Sequence, residues 1–336
     1  MYASYYGFRI KPFQLKPDPN FFFDSKGHKR AMAYLEYGLS QGEGFIVITG
    51  EVGAGKTTLV RHLFRKLDSE KILPAQIVNT DLDSGETLRM VAAGFGLPYE
   101  NLSKASLLIG LEQFFRRCDQ QGKRALLVVD EAQNLSPRTV EELRMLSNFQ
   151  TDDRPLLQTF LLGQPEFRET LLSRDMQQLR QRVIATYHLG PMDLAETQSY
   201  IQHRLAMAGW QGNPSFDQDA FTAIYDYAAG IPRKINGLCD RLLLMGCLEK
   251  LHRFGGLEVH EVIHDIQQEF DVPAAASMRV EARDAPASER SESLLNLEDM
   301  DNRLARLEES VVSLLELIKQ MLSLSGAAKK LEKDKI

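Results

Sequence analysis

The stretch GEVGAGKT, residues 50–57, spaces glycines, a lysine and a threonine as a bound polyphosphate would require. Gly50, Gly53 and Gly55 allow a tight backbone path that turns successive N–H groups toward one anion. A helix starting near Lys56 would add the positive end of its dipole. Lys56 then reaches β- and γ-phosphates, and the Thr57 hydroxyl can ligate Mg2+. The expected phosphate contacts are Gly50, Glu51, Val52, Gly53, Ala54, Gly55, Lys56, Thr57 and Thr58. A second stretch, LLVVDEAQ at 126–133, ends an apolar run in two acids. Acids at the carboxyl end of a strand lie where ligands bind in open parallel sheets. Asp130 is expected to hold Mg2+ through water, together with Thr57. Glu131 is placed to orient and deprotonate a water attacking the γ-phosphate, which favours hydrolysis over transfer to a metabolite. Its plain alternative is an acid at a helix N-terminus. A third stretch, FLLGQPEF at 160–167, ends in Gln164. In folds of this type an additional strand lies between the two that carry the first motifs, and a polar residue at its tip faces the γ-phosphate. Gln164 is either that residue or a turn residue before Pro165.

These residues need strands and helices to bring them together. Apolar runs at 45–49, 75–80, 124–130 and 156–163 read as strands, and 183–189 as a fifth. Their near-continuous apolarity fits a parallel sheet covered on both faces. Helical patterns lie between them. In 136–149, Ser136 can cap, Pro137 suits the first turn, and Val140, Leu143, Leu146 and Phe149 recur at spacing three. The alternation predicts a doubly wound α/β domain over 45–190. Residues 1–44 carry aromatic and proline punctuation before a helix near 26–40 and read as a lead-in. Tyr6, Phe8 and Phe13 within it pack either into a core or subunit contact, or near an adenine.

After 190 the strand pattern stops. Asp193 and Glu196 have capping-box spacing, and further helices are expected near 217–229, 232–250 and 258–270. Gly209, Gly230 and Gly255 are the expected stops. The whole, 191–271, reads as a small all-helical lid domain. Residues 272–293 are small, polar and charged without period, a flexible linker. Over 294–324, Leu297, Leu304, Val311 and Ile318 alternate with Met300, Leu307, Leu314 and Met321 at heptad spacing. This predicts a coiled coil; the alternative is an amphipathic helix folded back on the body. Leu315 and Leu317 widen the apolar face, favouring more than two helices or a helical partner. Residues 325–336 read as a disordered tail.

Composition narrows the function classes. The chain has 336 residues, 43% hydrophobic and 26% charged, with net charge −6. That is enough apolar mass for one or two large cores, and it argues against a protein coated in basic surface. Cys118, Cys239 and Cys247 form no disulfide framework or metal spacing and read as thiols in a reducing cytoplasm. The N-terminus has no signal-peptide pattern. No run reaches about 18 apolar residues, so membrane contact is expected only peripherally, through a partner.

The chain resembles the AAA+ class of P-loop ATPases, and within it the ATPase domain of the general secretion pathway protein A family. The likeness covers roughly residues 1–270. It is carried by YGFRIKPFQLKPDPNFFF, GFIVITGEVGAGKTTLVR, VVDEAQNLSPRTVEELRMLSNF, LLGQPEFRETL, LRQRV, YIQHRLAMAG and GIPRKINGLCDRLLL. The subgroup found at exosortase/PEP-CTERM and exopolysaccharide loci is the most similar, and a pilus-assembly ATPase the nearest competitor. The resemblance implies ATP and Mg2+ as cofactors. It implies that Arg182, with Arg180 as the alternative, reaches a neighbouring subunit's γ-phosphate, and that Arg233 contacts nucleotide from its own chain. A guanidinium suits both tasks, because its planar fork matches phosphate oxygens. An arginine acting in trans implies a homo-oligomer, a ring or an ATP-dependent assembly. The family's transmembrane helix and peptidoglycan-binding region are not matched; a polar linker and heptads stand in their place. The expected partner is therefore an envelope-secretion or polysaccharide-export protein docked through the coiled coil, at the cytoplasmic face of the inner membrane. Two other readings share the same site. One is a DNA-associated ATPase of the transposition or replication-helper type, for which KGHKR at 26–30, Arg116–Arg117 and Lys123–Arg124 supply basic clusters. The other is a nucleotide-gated scaffold with slow hydrolysis.

Overall fold

The structure is a computed structural model that describes residues 1–16, 18–78, 84–152 and 154–270. The expected linker (272–293), coiled coil (294–324) and tail (325–336) lie outside the described residues, as do Asn79 and Thr80 of the strand expected over 75–80.

Five strands form one parallel sheet: β1 (Phe45–Gly50), β2 (Ile72–Ile77), β3 (Arg124–Val129), β4 (Leu157–Gly163) and β5 (Val183–Leu189). Their order is β2-β3-β4-β1-β5. β4 therefore lies between β1 and β3, as expected, with Phe45 beside Thr159 and Ala125 beside Leu157. β1 and β4 are buried along their whole length. Successive side chains leave a strand on opposite faces, and the apolar runs feed both. Phe45, Val47, Leu127, Val129 and Leu161 pack one face against α4 (Ser84–Gly94), α5 (Lys104–Gln120) and α6 (Pro137–Leu146). Ile46, Ile48, Leu126, Val128, Phe160 and Leu162 pack the other against α2 (Lys26–Gln41) and α3 (Lys56–Lys66).

Local signals set the helix ends. Ser25 caps α2 by accepting from the His28 N–H, and Gly42 ends it at φ +75°. Ser136 caps α6 from the Thr139 N–H, with Pro137 in the first turn. α6 stops at Leu146, short of the expected 149, and Ser147 there takes part in a tertiary contact described below.

The helical region holds α9 (Leu194–Met207), α10 (Gln218–Ala228), α11 (Pro232–Glu249) and α12 (Gly256–Phe270). Both halves of the Asp193/Glu196 capping box are formed. The region is not purely helical: β6 (Ser215–Phe216) and β7 (Arg253–Phe254) pair in parallel. α11 ends on Lys250 at φ +62°, where no glycine marks the stop. Gly255 instead precedes α12, its N–H donating to Glu258 Oε2 at 2.7 Å.

The lead-in divides between the two regions. α2 lies on the sheet. The short α1 (Tyr2–Tyr6) belongs to the helical core, where Tyr2, Tyr6, Phe8 and Phe13 pack with Ile201, Leu205, Leu238, Leu242 and Phe254. Tyr2 hydrogen-bonds Asp240, the Tyr6 hydroxyl donates to the Leu251 carbonyl at 3.0 Å, and the Arg9 N–H donates to the Ala208 carbonyl at 2.8 Å. Cys118 and Cys239 are buried free thiols and Cys247 is half-buried. No helix among the described residues is long and apolar enough to cross a membrane.

Candidate active site

The glycine loop, residues 51–55, leaves the carboxyl end of β1 and enters α3 through Gly55 at φ +99°. Gly53 sits at φ +84°, and a Cβ there would stand 2.3 Å from the Cβ of Arg233. The Arg233 N–H donates to the Gly53 carbonyl at 3.2 Å. Glycine is thus required twice over, by a left-handed backbone and by the approach of α11. Gly53→Ala is expected to cost about 2 kcal/mol and lower the melting temperature by roughly 5 °C. Thermal unfolding of the nucleotide-free chain checks this, and an unchanged melting point would contradict the close approach.

Lys56 is only 6% exposed. Its Nζ donates to the Gly50 carbonyl at 2.6 Å and the Glu51 carbonyl at 3.1 Å. Burial lowers its pKa, against the opposing pull of the Glu131 and Asp130 carboxylates. Carbonyl dipoles partly satisfy this ammonium, and an anion in the loop would satisfy it better. His28 supports the loop from α2. Its Nδ1 lies 2.7 Å from Ser25 Oγ and its ring also bonds the Ala54 backbone. Burial pushes its pKa down to about 4, so the ring is neutral at physiological pH.

Asp130, 1% exposed, follows β3. Its Oδ2 accepts from the Thr57 hydroxyl at 2.7 Å and its Oδ1 from the Glu131 N–H at 3.1 Å. Burial raises its pKa, the Thr57 hydrogen bond opposing. A hydroxyl oxygen and a carboxylate oxygen at one spot beside a phosphate loop fit a hard divalent cation such as Mg2+.

Glu131 adopts φ +53°, a left-handed backbone unusual for a residue with a side chain. The turn aims its carboxylate at the end of β4. There Glu131 Oε2 accepts from Gln133 Nε2 at 2.7 Å and from Gln164 Nε2 at 3.3 Å. The Gln164 N–H in turn donates to Gln133 Oε1 at 3.0 Å. The insertion of β4 between β1 and β3 is what brings Gln164 to this spot. Gln133 had no role in the sequence reading. Its place in DEAQ, two residues after the acid, was the available signal.

The loop, Lys56, Thr57, Thr58, Glu131 and Arg233 line one cleft of about 270 Å3. Tyr6, Phe8 and Phe13 are not among its lining; Phe21, Phe22 and Phe23 are. Arg182 and Arg180 also lie away from it. Val183 pairs with Phe45, the first residue of β1, so Arg182 sits at the amino end of the sheet. Five residue steps separate Phe45 from Gly50, about 16 Å of strand. Arg182 Nη1 donates to Ser147 Oγ at 2.8 Å, and Arg180 Nη1 to the Leu171 carbonyl at 3.0 Å. Neither arginine lines the cleft beside the glycine loop of its own chain.

A family model described as an AAA domain matches residues 39–171. General secretion pathway protein A of Aeromonas hydrophila is 38% identical over 254 residues, 75% of this chain and 46% of that protein. The chain thus spans about half the length of that relative. Among solved structures, the Aeropyrum pernix ORC2 protein in its ADPNP–ADP complexes superposes with a TM-score of 0.58 at 15% identity, over 74% of this chain and 72% of that one. The Aeropyrum pernix ORC1 protein in complex with DNA gives 0.58 at 17% identity, over 78% and 70%. Cdc6p from Pyrobaculum aerophilum gives 0.57 at 15% identity, over 76% and 74%. At these identities the likeness is one of fold. With the glycine loop on β1, the acid pair on β3 and β4 inserted between them, the chain carries an AAA domain of the AAA+ P-loop ATPase class and is related to general secretion pathway protein A.

Proposed function

We propose that the chain binds ATP with Mg2+ and hydrolyses it, and that it works as a homo-oligomeric motor in an envelope secretion, exopolysaccharide-export or protein-sorting assembly. The observation that carries this is the meeting of three strand ends: the loop after β1 with Lys56 and Thr57 at the start of α3, Asp130 and Glu131 after β3, and Gln164 after β4, joined by the Lys56–Gly50, Thr57–Asp130 and Gln164–Glu131 hydrogen bonds. Bound Mg2+ would neutralise charge on the phosphate oxygens. Gly50 to Thr58 cradle the phosphates through backbone N–H groups, and Lys56 donates to them. Glu131 accepts the proton of the attacking water, oriented by Gln133 and Gln164. Arg233, over Gly53, carries the state of the cleft into α11. In this reading residues 45–190 are the ATPase core and 191–271 the lid, with the coiled coil of 294–324 as the partner arm. The location is cytoplasmic, peripheral to the inner membrane through a partner.

Internal pairings weaken the DNA-associated reading. Lys26 donates to Asp193 at 3.0 Å, Arg116 to Glu112 at 2.8 Å, and Arg124 to the Leu39 carbonyl at 2.8 Å. The basic clusters are thus partly engaged within the chain.

Arg182, too far to serve its own site, is the residue assigned to a neighbour. Phosphate release from MgATP, measured across protein concentration, is expected to rise per protomer as the chain self-associates. Arg182→Ala should lower the plateau about 100-fold or more while leaving ATP affinity in the dilute protomer unchanged. A rate independent of concentration and insensitive to Arg182→Ala would sink the trans assignment. No phosphate release at any concentration would sink the ATPase reading.

A further inference from the structure

Beyond the glycine loop the cleft continues between two walls. Leu15, Asp18, Phe21, Phe22 and Phe23 form one, and Tyr200, Arg204 and Asn236 of α9 and α11 the other. Among its described residues the first wall has a single 3-10 turn, Pro19–Phe21, as regular structure. It starts where the lead-in leaves the helical core at Phe13 and ends at Ser25, the cap of α2. A stretch so poor in its own backbone pairing must be held by something else.

Arg204 holds it. The residue is 6% exposed. Its Nε donates to the Pro12 carbonyl at 2.7 Å and its Nη2 to the Gln14 carbonyl at 3.4 Å. Its Nη1 donates to the Tyr200 hydroxyl at 2.8 Å, which donates on to Asn236 Oδ1 at 2.9 Å. The guanidinium lies 4.8 Å from the centre of the Phe21 ring and 5.6 Å from that of Tyr200. Among the described residues no carboxylate is within ion-pair distance of it. Burying a guanidinium on carbonyl dipoles and ring faces alone is costly. A leucine or methionine would fill the volume at lower cost. What the fork adds is simultaneous reach to two strap carbonyls and the Tyr200 hydroxyl.

We propose that Arg204 is the positioning residue of the nucleobase end of the cleft: it fixes residues 12–16 and 18–23 as a strap whose wall faces a purine ring, so that affinity for the base depends on it and affinity for polyphosphate does not. The proposal rests on the ATP-binding reading. It follows from the division of the cleft. The phosphates are claimed by the loop, and the remaining length is lined by the strap's aromatic residues and by side chains tied to Arg204.

The test compares ATP with inorganic tripolyphosphate, both with Mg2+, by titration calorimetry on the full chain. Arg204→Met is expected to weaken ATP about tenfold or more and leave tripolyphosphate within about twofold, since charged hydrogen bonds to the strap are lost while the loop is untouched. Arg204→Lys, which keeps the charge and loses the fork, should fall between. Equal weakening of both ligands in a folded variant overturns the positioning role, as does no weakening of either. Should Arg204→Met melt below the assay temperature, Tyr200→Phe decides the matter. It removes one hydroxyl of the network and should weaken ATP about threefold and tripolyphosphate not at all. A parent chain that binds neither ligand refutes the ATP-binding reading itself. One that binds tripolyphosphate as tightly as ATP refutes the base end alone.

Discussion

Lys56→Met is expected to abolish the stabilisation that MgATP gives the protein. A ligand present at 100 times its dissociation constant adds about 2.7 kcal/mol to a fold that binds it only when native. That increment should vanish from thermal melts of the variant, and the dissociation constant should rise about 100-fold or more. The expectation follows from the state of the side chain. Its ammonium is buried, is held by the Gly50 and Glu51 carbonyls, and has a pKa lowered by desolvation. A group kept charged against that penalty is poised for an anion. For the same reason the nucleotide-free variant should melt within about 1 kcal/mol of the parent, because methionine fills the space and removes a desolvated charge. Retention of the full ATP-induced shift would remove Lys56 from the phosphate site.

Glu131→Gln should separate binding from turnover. The amide keeps an oxygen that can accept from Gln133 and Gln164, so the left-handed turn and the position of the group should survive. What it loses is the ability to take a proton. The rate of phosphate release is expected to fall about 10² to 10⁴-fold, with ATP affinity equal or tighter. Single-turnover phosphate release and equilibrium binding read the two quantities independently. Turnover at the parental rate would move the base elsewhere and leave the Glu131–Gln133–Gln164 cluster a structural one. Loss of both binding and turnover would mean that the carboxylate helps hold the cleft itself.

The two substitutions act on motifs legible in the sequence for a shared reason. A glycine loop, a capping serine and an acid after a buried apolar run are local patterns, and the physics that reads them is local too. Left-handed backbone needs glycine, a helix start needs a side-chain acceptor, and a strand covered on both faces needs a continuous apolar run. Hence β1, buried along its whole length, runs Phe45–Gly50 against an expected 45–49, and the Asp193/Glu196 capping box is formed as its spacing implied. Where a local signal was missing, boundaries moved. α6 ends at Leu146, short of the expected 149, and β2 starts at Ile72, three residues before its expected onset.

What the sequence determined by itself was the make-up of the candidate phosphate site: the loop, the acid pair and the strands that had to carry them. Tertiary structure decided everything that depends on residues distant in the chain. It placed Gln133 between Glu131 and Gln164 through the insertion of β4. It sent Tyr6, Phe8 and Phe13 into the core of the helical region and left Phe21, Phe22 and Phe23 to the cleft. It set Arg182 at the amino end of the sheet. It closed the strap with Arg204, whose carbonyl partners lie 190 and more residues away. The reason is that such contacts are chosen by the packing of whole faces, and no spacing along the chain encodes which carbonyl a buried guanidinium will meet.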